Sequence, residues 1–129
     1  MSHKSMDEEI RKLEEMEDKA RLGGGADKLE QQRKMGKMTA RERIEYFLDP
    51  GSLVELNMLA EHQCNDFGME KKRFLGDGVV TGYGTVHGRK VFIYSEDATV
   101  LGGSTGKVHG AKIHYILRLA RETMVPVVC

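Results

Sequence analysis

Residues 78–94 read GVVTGYGTVHGRKVFIY and decide the fold class. β-Branched and aromatic residues recur on both sides of His87-Gly88, which is the composition of two strands. A two-residue connection that contains glycine favours a tight hairpin, because glycine adopts positive φ without steric cost. The sequence therefore predicts two antiparallel strands, residues 78–86 and 89–94.

The residues after this hairpin predict the rest of an α/β unit. A glycine-containing loop over 95–103 leads into a predicted helix over 104–122, and the β-branched run 125–129 predicts a further strand. The order strand, strand, helix, strand is a ββα-type unit of an α/β fold. Since an apolar strand stands last with no polar tail, we expect the chain to be truncated there.

Upstream of the hairpin the sequence predicts helices. Residues 7–22 carry apolar side chains three and four apart, and the run Gly23–Gly25 ends that helix because glycine is a poor helix former. A second short helix is predicted over 26–34. Together these segments read as a helical arm.

A third helix has the clearest start signal. Thr39 and Glu42 have the spacing of a capping box, in which each side chain bonds the other residue's backbone N–H. Ile44, Phe47 and Leu48 would form its apolar face, and the turn residues 49–52 end it.

The expected domain layout follows from these elements. Residues 1–5 are interpreted as a possible expression remnant, 6–52 as the helical arm, and 53–129 as an α/β domain. The α/β domain begins with a predicted strand over 53–56, and residues 57–75 are expected to be irregular.

Composition excludes several functions. With 20 basic and 20 acidic residues among 129, the chain has no overall field that would attract nucleic acid or an anionic membrane. No apolar run approaches the ~20 residues that cross a bilayer, so direct membrane insertion is not expected. Cys64 and Cys129 are too few for a disulfide framework, which favours a reducing cytoplasm.

Five separated motifs, in order, resemble one family. The resemblance runs from about residue 23 to residue 128 and is to the carboxyltransferase subunits of biotin-dependent acyl-CoA carboxylases, the family of propionyl-CoA carboxylase beta, methylmalonyl-CoA decarboxylase alpha and transcarboxylase. A mild departure is Ala98, where the family often has an aromatic residue. The motifs are GGG at 23–25, GKMTARERI at 36–44, LDPGS at 48–52, GDGVVTG at 76–82 and SEDATVLGGS at 95–104.

The resemblance implies a crotonase-like fold, of which this chain would hold the helical arm and the first, truncated part of the core. It implies transfer of a carboxyl group between carboxybiotin and the α-carbon of a short-chain acyl-CoA such as propionyl-CoA or methylmalonyl-CoA. A backbone donor to the resulting enolate oxygen is worth about 3 kcal/mol. In the family such donors follow the strand that starts here at Val125 and recur in the C-terminal half, beyond residue 129. No catalytic residue is therefore expected here, and this chain alone is expected to be inactive.

The resemblance also implies a site and partners. In crotonase-like proteins the loop that enters the helix lies along CoA, which suggests Ala98, Thr99, Gly102, Gly103 and Ser104 as CoA-binding residues, near the positive end of the helix dipole. The alternative is that the glycines only make a turn and Ser104 is a helix N-cap. Biotin would arrive on a carrier chain or domain, and the subunits would form a homo-oligomer.

A basic cluster and a second glycine-rich run suggest other kinds of ligand. A basic cluster could contact an anion, or could be a solvated helical face balanced by neighbouring glutamates. The run 102–107 lacks the first glycine and the Ser/Thr that a P-loop requires, so an ATP-binding module is disfavoured. The basic cluster consists of Arg33, Lys34, Lys37, Arg41 and Arg43.

Further residues invite functional interpretations that their context disfavours. Lys37 lies between methionines as a biotinylated lysine would, but it precedes a helix rather than forming a hairpin tip. His62 and Cys64 lack the second ligand pair of a metal site, so an ordinary loop is expected. The competing overall function is a non-catalytic assembly domain.

Overall fold

Four helices and four strands make up residues 5–129, the part of the chain that this computed structural model describes. Residues 1–4 of the expected remnant lie outside the described residues. The helices are α1 (Met6–Arg21), α2 (Ala26–Lys34), α3 (Ala40–Phe47) and α4 (Lys107–Thr123), and the strands are β1 (Val54–Leu56), β2 (Val79–Val86), β3 (Arg89–Glu96) and β4 (Val127–Val128).

The predicted hairpin is the centre of one sheet. The strand order is β1-β2-β3-β4, with β2 antiparallel to both β1 and β3, and β4 parallel to β3. β3 runs two residues further than predicted, because Ser95 and Glu96 pair with Val80 and Val79. The stretch between β1 and β2 is irregular as predicted, apart from a short 3₁₀ segment, Asp66–Lys71.

The hairpin turn is closed by a carboxylate from another part of the chain. His87 and Gly88 both have positive φ, 50° and 76°, as a type I′ turn requires. The Asp49 carboxylate accepts hydrogen bonds from the Thr85 hydroxyl at 2.6 Å and from the His87 and Gly88 amides at 2.9 and 2.8 Å. These hydrogen bonds, with that from Thr85 the largest influence, lower the pKa of Asp49.

Helices cover both faces of the sheet, which gives a three-layer arrangement. On one face α3 buries Ala40, Ile44 and Leu48 against strand residues; on the other, α4 buries Ile116 and Ala120 against β3. Phe47, predicted on the apolar face of α3, is instead 44 % exposed. It lies on the same side of α3 as Ile44, and both line an open cavity of about 500 Å³ that leaves Phe47 uncovered. The strand residues that form these two clusters are Val80, Val91 and Ile93 under α3 and Phe92 under α4.

Helix starts follow the sequence signals in α3 but not in α4. The capping box of α3 is present, with Thr39 Oγ1 accepting from the Glu42 amide at 3.2 Å. The start predicted for α4 was three residues early: the helix begins at Lys107 behind Gly106, so Ser104 is not its N-cap. The reason is that the backbone is still extended at Ser104 and at Gly106, and the first helical turn is the one whose His109 amide is capped by the Asp77 carboxylate.

Within residues 5–129, no helix is both long and apolar enough to span a membrane.

Candidate functional site

The loop 97–104 joins β3 to α4 at the end of the hairpin opposite the His87-Gly88 turn. It brings all five predicted CoA-binding residues into one segment. Ala98, Gly102 and Ser104 are exposed and Gly103 is half-buried, whereas Thr99 is only 6 % exposed. The loop therefore offers four of the five residues to a ligand, and Thr99 points into the protein.

The first half of the loop is fixed by Asp97. One oxygen of this buried carboxylate accepts hydrogen bonds from the Thr99 amide at 2.9 Å and from the Thr99 hydroxyl at 2.6 Å. The Asp97 carbonyl accepts from the Val100 amide at 3.1 Å. Thr99 therefore stabilises the conformation of the first half of the loop.

The turn between α1 and α2 packs directly on this half of the loop. The Gly24 amide donates to the Thr99 hydroxyl at 3.0 Å, 75 residues away in sequence. A Cβ at Gly24 would overlap the Thr99 carbonyl group, and one at Gly23 would overlap the Asp97 carboxylate. The two glycines are therefore needed for contact as well as for ending α1, a role that sequence reasoning missed. Its only signal was a run of three glycines where one is enough to end a helix.

The second half of the loop leaves backbone donors unused. Its internal hydrogen bonds run from the Gly103 amide to the Val100 carbonyl at 2.9 Å and from the Ser104 amide to the Leu101 carbonyl at 3.3 Å. Among the described residues, no acceptor contacts the amides of Ala98, Leu101 or Gly102. A side chain at Gly102 would meet open space. These amides are available to a ligand.

A cavity of about 390 Å³ lies beside the second half of the loop. The Asp77 carboxylate faces it and also accepts from the His109 amide in the first turn of α4, at 2.9 Å. One carboxylate of the protein therefore already lies at the positive end of α4. The lining residues are His62, Gln63, Cys64, Met69, Asp77, Leu101, Ser104, Gly106, Lys107 and Val108.

A groove of about 280 Å³ lies beside the first half of the loop. It brings Ala98 and Thr99 next to three exposed cations: Lys28 of α2, Lys37 of the connection between α2 and α3, and Arg43 of α3. Of these, Lys28 Nζ lies 3.4 Å from the Thr99 carbonyl oxygen. The remaining lining residues are Gln31, Gln32 and Met35.

The basic cluster seen in the sequence divides into paired and unpaired cations. Arg41 forms a two-pronged pair with Glu55, at 2.6 and 2.9 Å, on the other side of α3. Arg33 pairs with the Glu42 carboxylate at 2.7 Å. Lys37 and Arg43 form no ion pair with any residue in the described part of the chain. The sequence left anion contact and a solvated face open, and the groove makes Lys37 and Arg43 the candidates for anion contact.

Buried polar groups hold the start of β2 at the base of the site. Lys112 of α4 is 3 % exposed and donates from Nζ to the Gly76 and Val79 carbonyls at 2.7 and 2.5 Å. Burial lowers the pKa of Lys112 to about 8, although the charges of Glu55 and Asp77 act in the opposite direction.

His109 completes this buried group. Its Nδ1 donates to the Asp77 carbonyl at 2.9 Å. The other ring nitrogen, Nε2, is buried without a hydrogen-bond partner among residues 5–129 and lies 3.6 Å from the Glu96 carboxylate. An ion pair with Glu96 requires protonation of His109.

His62 and Cys64 are held in their loop by hydrogen bonds to the backbone. The buried His62 ring donates from Nε2 to the Lys72 carbonyl at 2.7 Å and accepts at Nδ1 from the Cys64 amide at 3.3 Å. Both ring nitrogens are therefore occupied by protein. In the described residues, no group of three or more His, Cys, Asp or Glu side chains is arranged to hold a metal ion.

The three layers, the mixed sheet and the glycine-rich loop at the end of its hairpin form an α/β core, and the structures it superposes on have the crotonase-like carboxyltransferase fold. The crystal structure of transcarboxylase 12S superposes on 98 % of this chain with a TM-score of 0.93 and 38 % identity, and this chain covers 25 % of that protein. That structure is described as a hexamer assembly with methylmalonyl-coenzyme A and methylmalonic acid bound.

The chain belongs to the carboxyl transferase domain family, whose model matches residues 31–129. It is 50 % identical over 119 residues to the propionyl-CoA carboxylase beta chain of Cereibacter sphaeroides, which is 90 % of this chain and 23 % of that protein. It is 47 % identical over 124 residues to the methylmalonyl-CoA decarboxylase subunit alpha of Veillonella parvula, covering 96 % of this chain and 24 % of that protein. The chain therefore spans about a quarter of the length of these relatives.

Proposed function

We propose that this chain is part of a carboxyltransferase that moves a carboxyl group between carboxybiotin and the α-carbon of a short-chain acyl-CoA. The observation that carries the proposal is the loop 97–104, where the amides of Ala98, Leu101 and Gly102 are available beside two cavities. Family membership and the names of the relatives supply the reaction class and the propionyl- or methylmalonyl-CoA substrate.

The proposed contribution of this chain is to bind and orient the CoA thioester. Backbone amides at Ala98, Leu101 and Gly102 donate to the carbonyl and phosphate oxygens of CoA, and the absence of a side chain at Gly102 permits close approach. Asp97 and Thr99 keep the loop in the conformation that presents these donors. This division of labour gives no bond-making role to any residue from 98 to 104.

Biotin, when present on its carrier, supplies the carboxyl group or accepts it. Lys37 does not suit biotin attachment, because it lies in the connection between α2 and α3 and lines a groove with other cations. We therefore assign biotin to a partner chain or domain. We also propose that the whole subunit forms a homo-oligomer, as supported by the hexamer described for transcarboxylase 12S.

A thermal-shift titration with propionyl-CoA tests the proposal, with ATP–magnesium as the ligand control. Specific binding at a hundredfold excess over Kd stabilises a protein by about 2.7 kcal/mol, so the melting temperature should rise with propionyl-CoA and not with ATP. No shift with propionyl-CoA, or a shift with ATP alone, would contradict the proposal.

A pair of glycine variants locates the binding. Gly102→Asp places a negative charge on the loop and should abolish the shift, whereas Gly51→Asp should not. The two positions match as controls, because both have positive φ, 66° and 71°, and open space where a side chain would extend. If both variants respond to propionyl-CoA as the unmodified chain does, the ligand does not lie along loop 97–104.

A second candidate function, an assembly domain without a CoA site, is favoured by α1. Its apolar positions Ile10, Leu13 and Met16 are 48 %, 46 % and 43 % exposed, and together they form a stripe along one face. Such a stripe suits a contact with a further protein surface. Analytical ultracentrifugation in the presence of propionyl-CoA separates the two functions: a stable oligomer that ignores the ligand favours assembly, and a monomer that binds it contradicts assembly.

A further inference from the structure

The buried side chain of His109 lies at the stem of the loop 97–104. Glu96 is the last residue of β3 and His109 belongs to the first turn of α4, so the two residues stand on either side of the loop. We propose that His109 is a positioning residue, which takes up a proton, pairs with Glu96 and so fixes the stem of the loop for binding of the acyl-CoA. The inference rests on the proposed function, because it names a residue that controls the same site.

Hydrogen bonding decides which ring nitrogen of neutral His109 carries the hydrogen. Nδ1 lies 2.9 Å from the Asp77 carbonyl oxygen, which can only accept a hydrogen bond, so Nδ1 is the donor. A neutral imidazole has one N–H, and the other nitrogen, Nε2, is then an acceptor. Nε2 is buried without a hydrogen-bond partner among residues 5–129.

The Glu96 carboxylate faces this second nitrogen. Its Oε1 lies 3.6 Å from His109 Nε2. An ionised carboxylate is also an acceptor, so the neutral ring sets one acceptor against another and no hydrogen bond forms. Protonation makes Nε2 a donor, and the contact becomes a charge-assisted hydrogen bond, whose usual length is about 2.7–2.9 Å. One proton therefore draws Glu96 towards α4.

The charged groups around His109 can accommodate this proton. Asp77, just before β2, accepts from the His109 amide at 2.9 Å, and Glu96 approaches from β3. Lys112, on the same helix, is the buried cation nearby, and the Asp97 carboxylate is held within the loop by its own hydrogen bonds. The proton reaches the ring from solvent past Glu96, whose side chain is 52 % exposed.

Proton uptake acts on the loop through its two ends. Asp77 holds both the amide and the ring of His109, so a pair with Glu96 ties the end of β3 to the start of α4. The loop between these ends then has fewer conformations, and its three available amides are held in place. A site that is ordered before its ligand arrives binds more tightly, because less conformational freedom is lost on binding.

Isothermal titration calorimetry with propionyl-CoA at pH 8 and at about pH 5.5 tests the inference, since histidine ordinarily changes charge between these values. The unmodified chain should bind about fivefold more tightly at the lower pH, which is the lower end of typical coupling between two sites. A phosphate monoester also titrates near pH 6, at about the middle of this range. That contribution of the ligand is the same for every variant, so the comparison between variants decides.

Two substitutions of Glu96 should remove the pH dependence in opposite ways. Glu96→Gln offers an amide N–H to the neutral Nε2, so the stem is closed at both pH values. This variant should bind at pH 8 as tightly as the unmodified chain binds at about pH 5.5. Glu96→Ala leaves the stem open, and its affinity should stay at the pH 8 level of the unmodified chain. Both variants should fold, because Glu96 is exposed.

His114→Gln is the matched control for proton uptake. His114 is a histidine of the same helix, but it is exposed, and none of the described residues pairs with it. The variant should keep the full pH dependence of the unmodified chain. Loss of the pH dependence in His114→Gln would place the titrating group there and overturn the role of His109.

Nitrogen-15 NMR of the histidine side chains supplies a readout that needs no ligand. His109 should carry its hydrogen on Nδ1 at pH 8 and on both nitrogens at about pH 5.5. A hydrogen on Nε2 at pH 8, or a neutral ring at the lower pH, would overturn the inference.

The outcomes separate the two proposals. If the unmodified chain binds propionyl-CoA equally well at both pH values, or if Glu96→Gln keeps the pH dependence, the role of His109 is overturned and the CoA proposal stands. If the unmodified chain binds no propionyl-CoA at either pH, the CoA proposal fails and the inference falls with it. Tight binding by Glu96→Gln at pH 8, with weak binding by Glu96→Ala, supports both.

Discussion

The two ends of the β2–β3 hairpin are built differently. At one end, the turn His87-Gly88 donates both of its amides to a single carboxylate, that of Asp49. At the other end, the loop 97–104 is held through Asp97 and Thr99 but leaves three amides without an acceptor in the described residues. The first end is closed by its hydrogen bonds, and the second is held open.

The difference shows what a ligand-facing turn requires. A turn that only reverses the chain is most stable when its polar groups are satisfied by protein. At the open end, buried Lys112 and His109 hydrogen-bond the backbone just before β2, and the Gly24 turn hydrogen-bonds Thr99. The exposed half of the loop therefore keeps its donors for a ligand. Both ends depend on residues distant in sequence, but at the closed end these bond the turn amides themselves, whereas at the open end they hold the surrounding structure.

The largest effect is expected from breaking the support behind the open end. Gly24→Ala forces a methyl group into the Thr99 carbonyl, and neither backbone can yield without moving the α1–α2 turn off the loop. We expect a loss of about 3 kcal/mol in the free energy of unfolding, at the upper end of overpacking costs. Urea denaturation measures the loss, and amide hydrogen exchange should show Thr99 deprotected.

Gly110→Ala is the control for this substitution. Gly110 lies within α4, where an added Cβ meets nothing within 4 Å, and alanine is the better helix former. Its stability should therefore be equal to or above that of the unmodified chain. A Gly24→Ala variant of unchanged stability would show that the turn does not support the loop. Thr99→Val, which removes only the hydroxyl between Gly24 and Asp97, provides a milder test should Gly24→Ala fail to fold.

The second effect concerns the buried charge beneath the open end. Because the pKa of Lys112 is lowered from 10.5 to about 8, the unfolded chain binds more protons than the folded chain between these pH values. Stability should therefore rise with pH, by about 2 kcal/mol between pH 8 and 10. Urea denaturation at several pH values between 8 and 10 measures this slope.

Substitution of Lys112 tests whether this residue causes the rise in stability with pH. Lys112→Met should remove the rise between pH 8 and 10, whereas Lys90→Met, at an exposed position, should retain it. The pH slope is the informative quantity, since methionine also leaves the Gly76 and Val79 carbonyls without their donor and lowers stability at every pH. An unchanged slope in Lys112→Met would mean that another group is responsible.

The distance in sequence between contacting residues explains which features could be predicted from the sequence. The hairpin, its turn and the capping box of α3 were predicted because their signals lie within a few residues of one another. The start of α4 was misplaced, since its first turn is capped by Asp77, 32 residues away. The Gly24–Thr99 contact spans 75 residues and has no local signature.

The candidate site divides in the same way. The loop residues 98–104 were predicted from a resemblance, and they do lie together, but the inward position of Thr99 was not foreseen. Of the groove cations, Lys37 and Arg43 could be recognised in sequence only as part of a basic cluster, and Lys28 was not recognised. Which cations of that cluster are neutralised depends on where Glu42 and Glu55 lie in three dimensions.

The smallest effect is expected at the closed end, and it should appear in acid. The pKa of Asp49 is lowered by its three hydrogen bonds, so its stabilising contribution is complete above the pKa of an unfolded aspartate, about 3.9, and is lost as the pH falls through the lower folded value. Asp49→Asn should therefore be less stable at pH 7 and should lose less stability than the unmodified chain between pH 5 and pH 2. Asp66→Asn, at an exposed position in the irregular stretch, should leave the acid profile as it is.

This substitution also tests whether the two ends of the hairpin are independent. Among the described residues, the Asp49 carboxylate accepts hydrogen bonds from Thr85, His87 and Gly88, and the loop 97–104 lies at the opposite end of the paired strands. Asp49→Asn should thus reduce stability without changing the affinity for propionyl-CoA measured by calorimetry at pH 7. A parallel loss of affinity would mean that the strands transmit the state of the closed end to the open one. The support of the loop would then include the whole hairpin rather than the Gly24 turn and the buried polar groups alone.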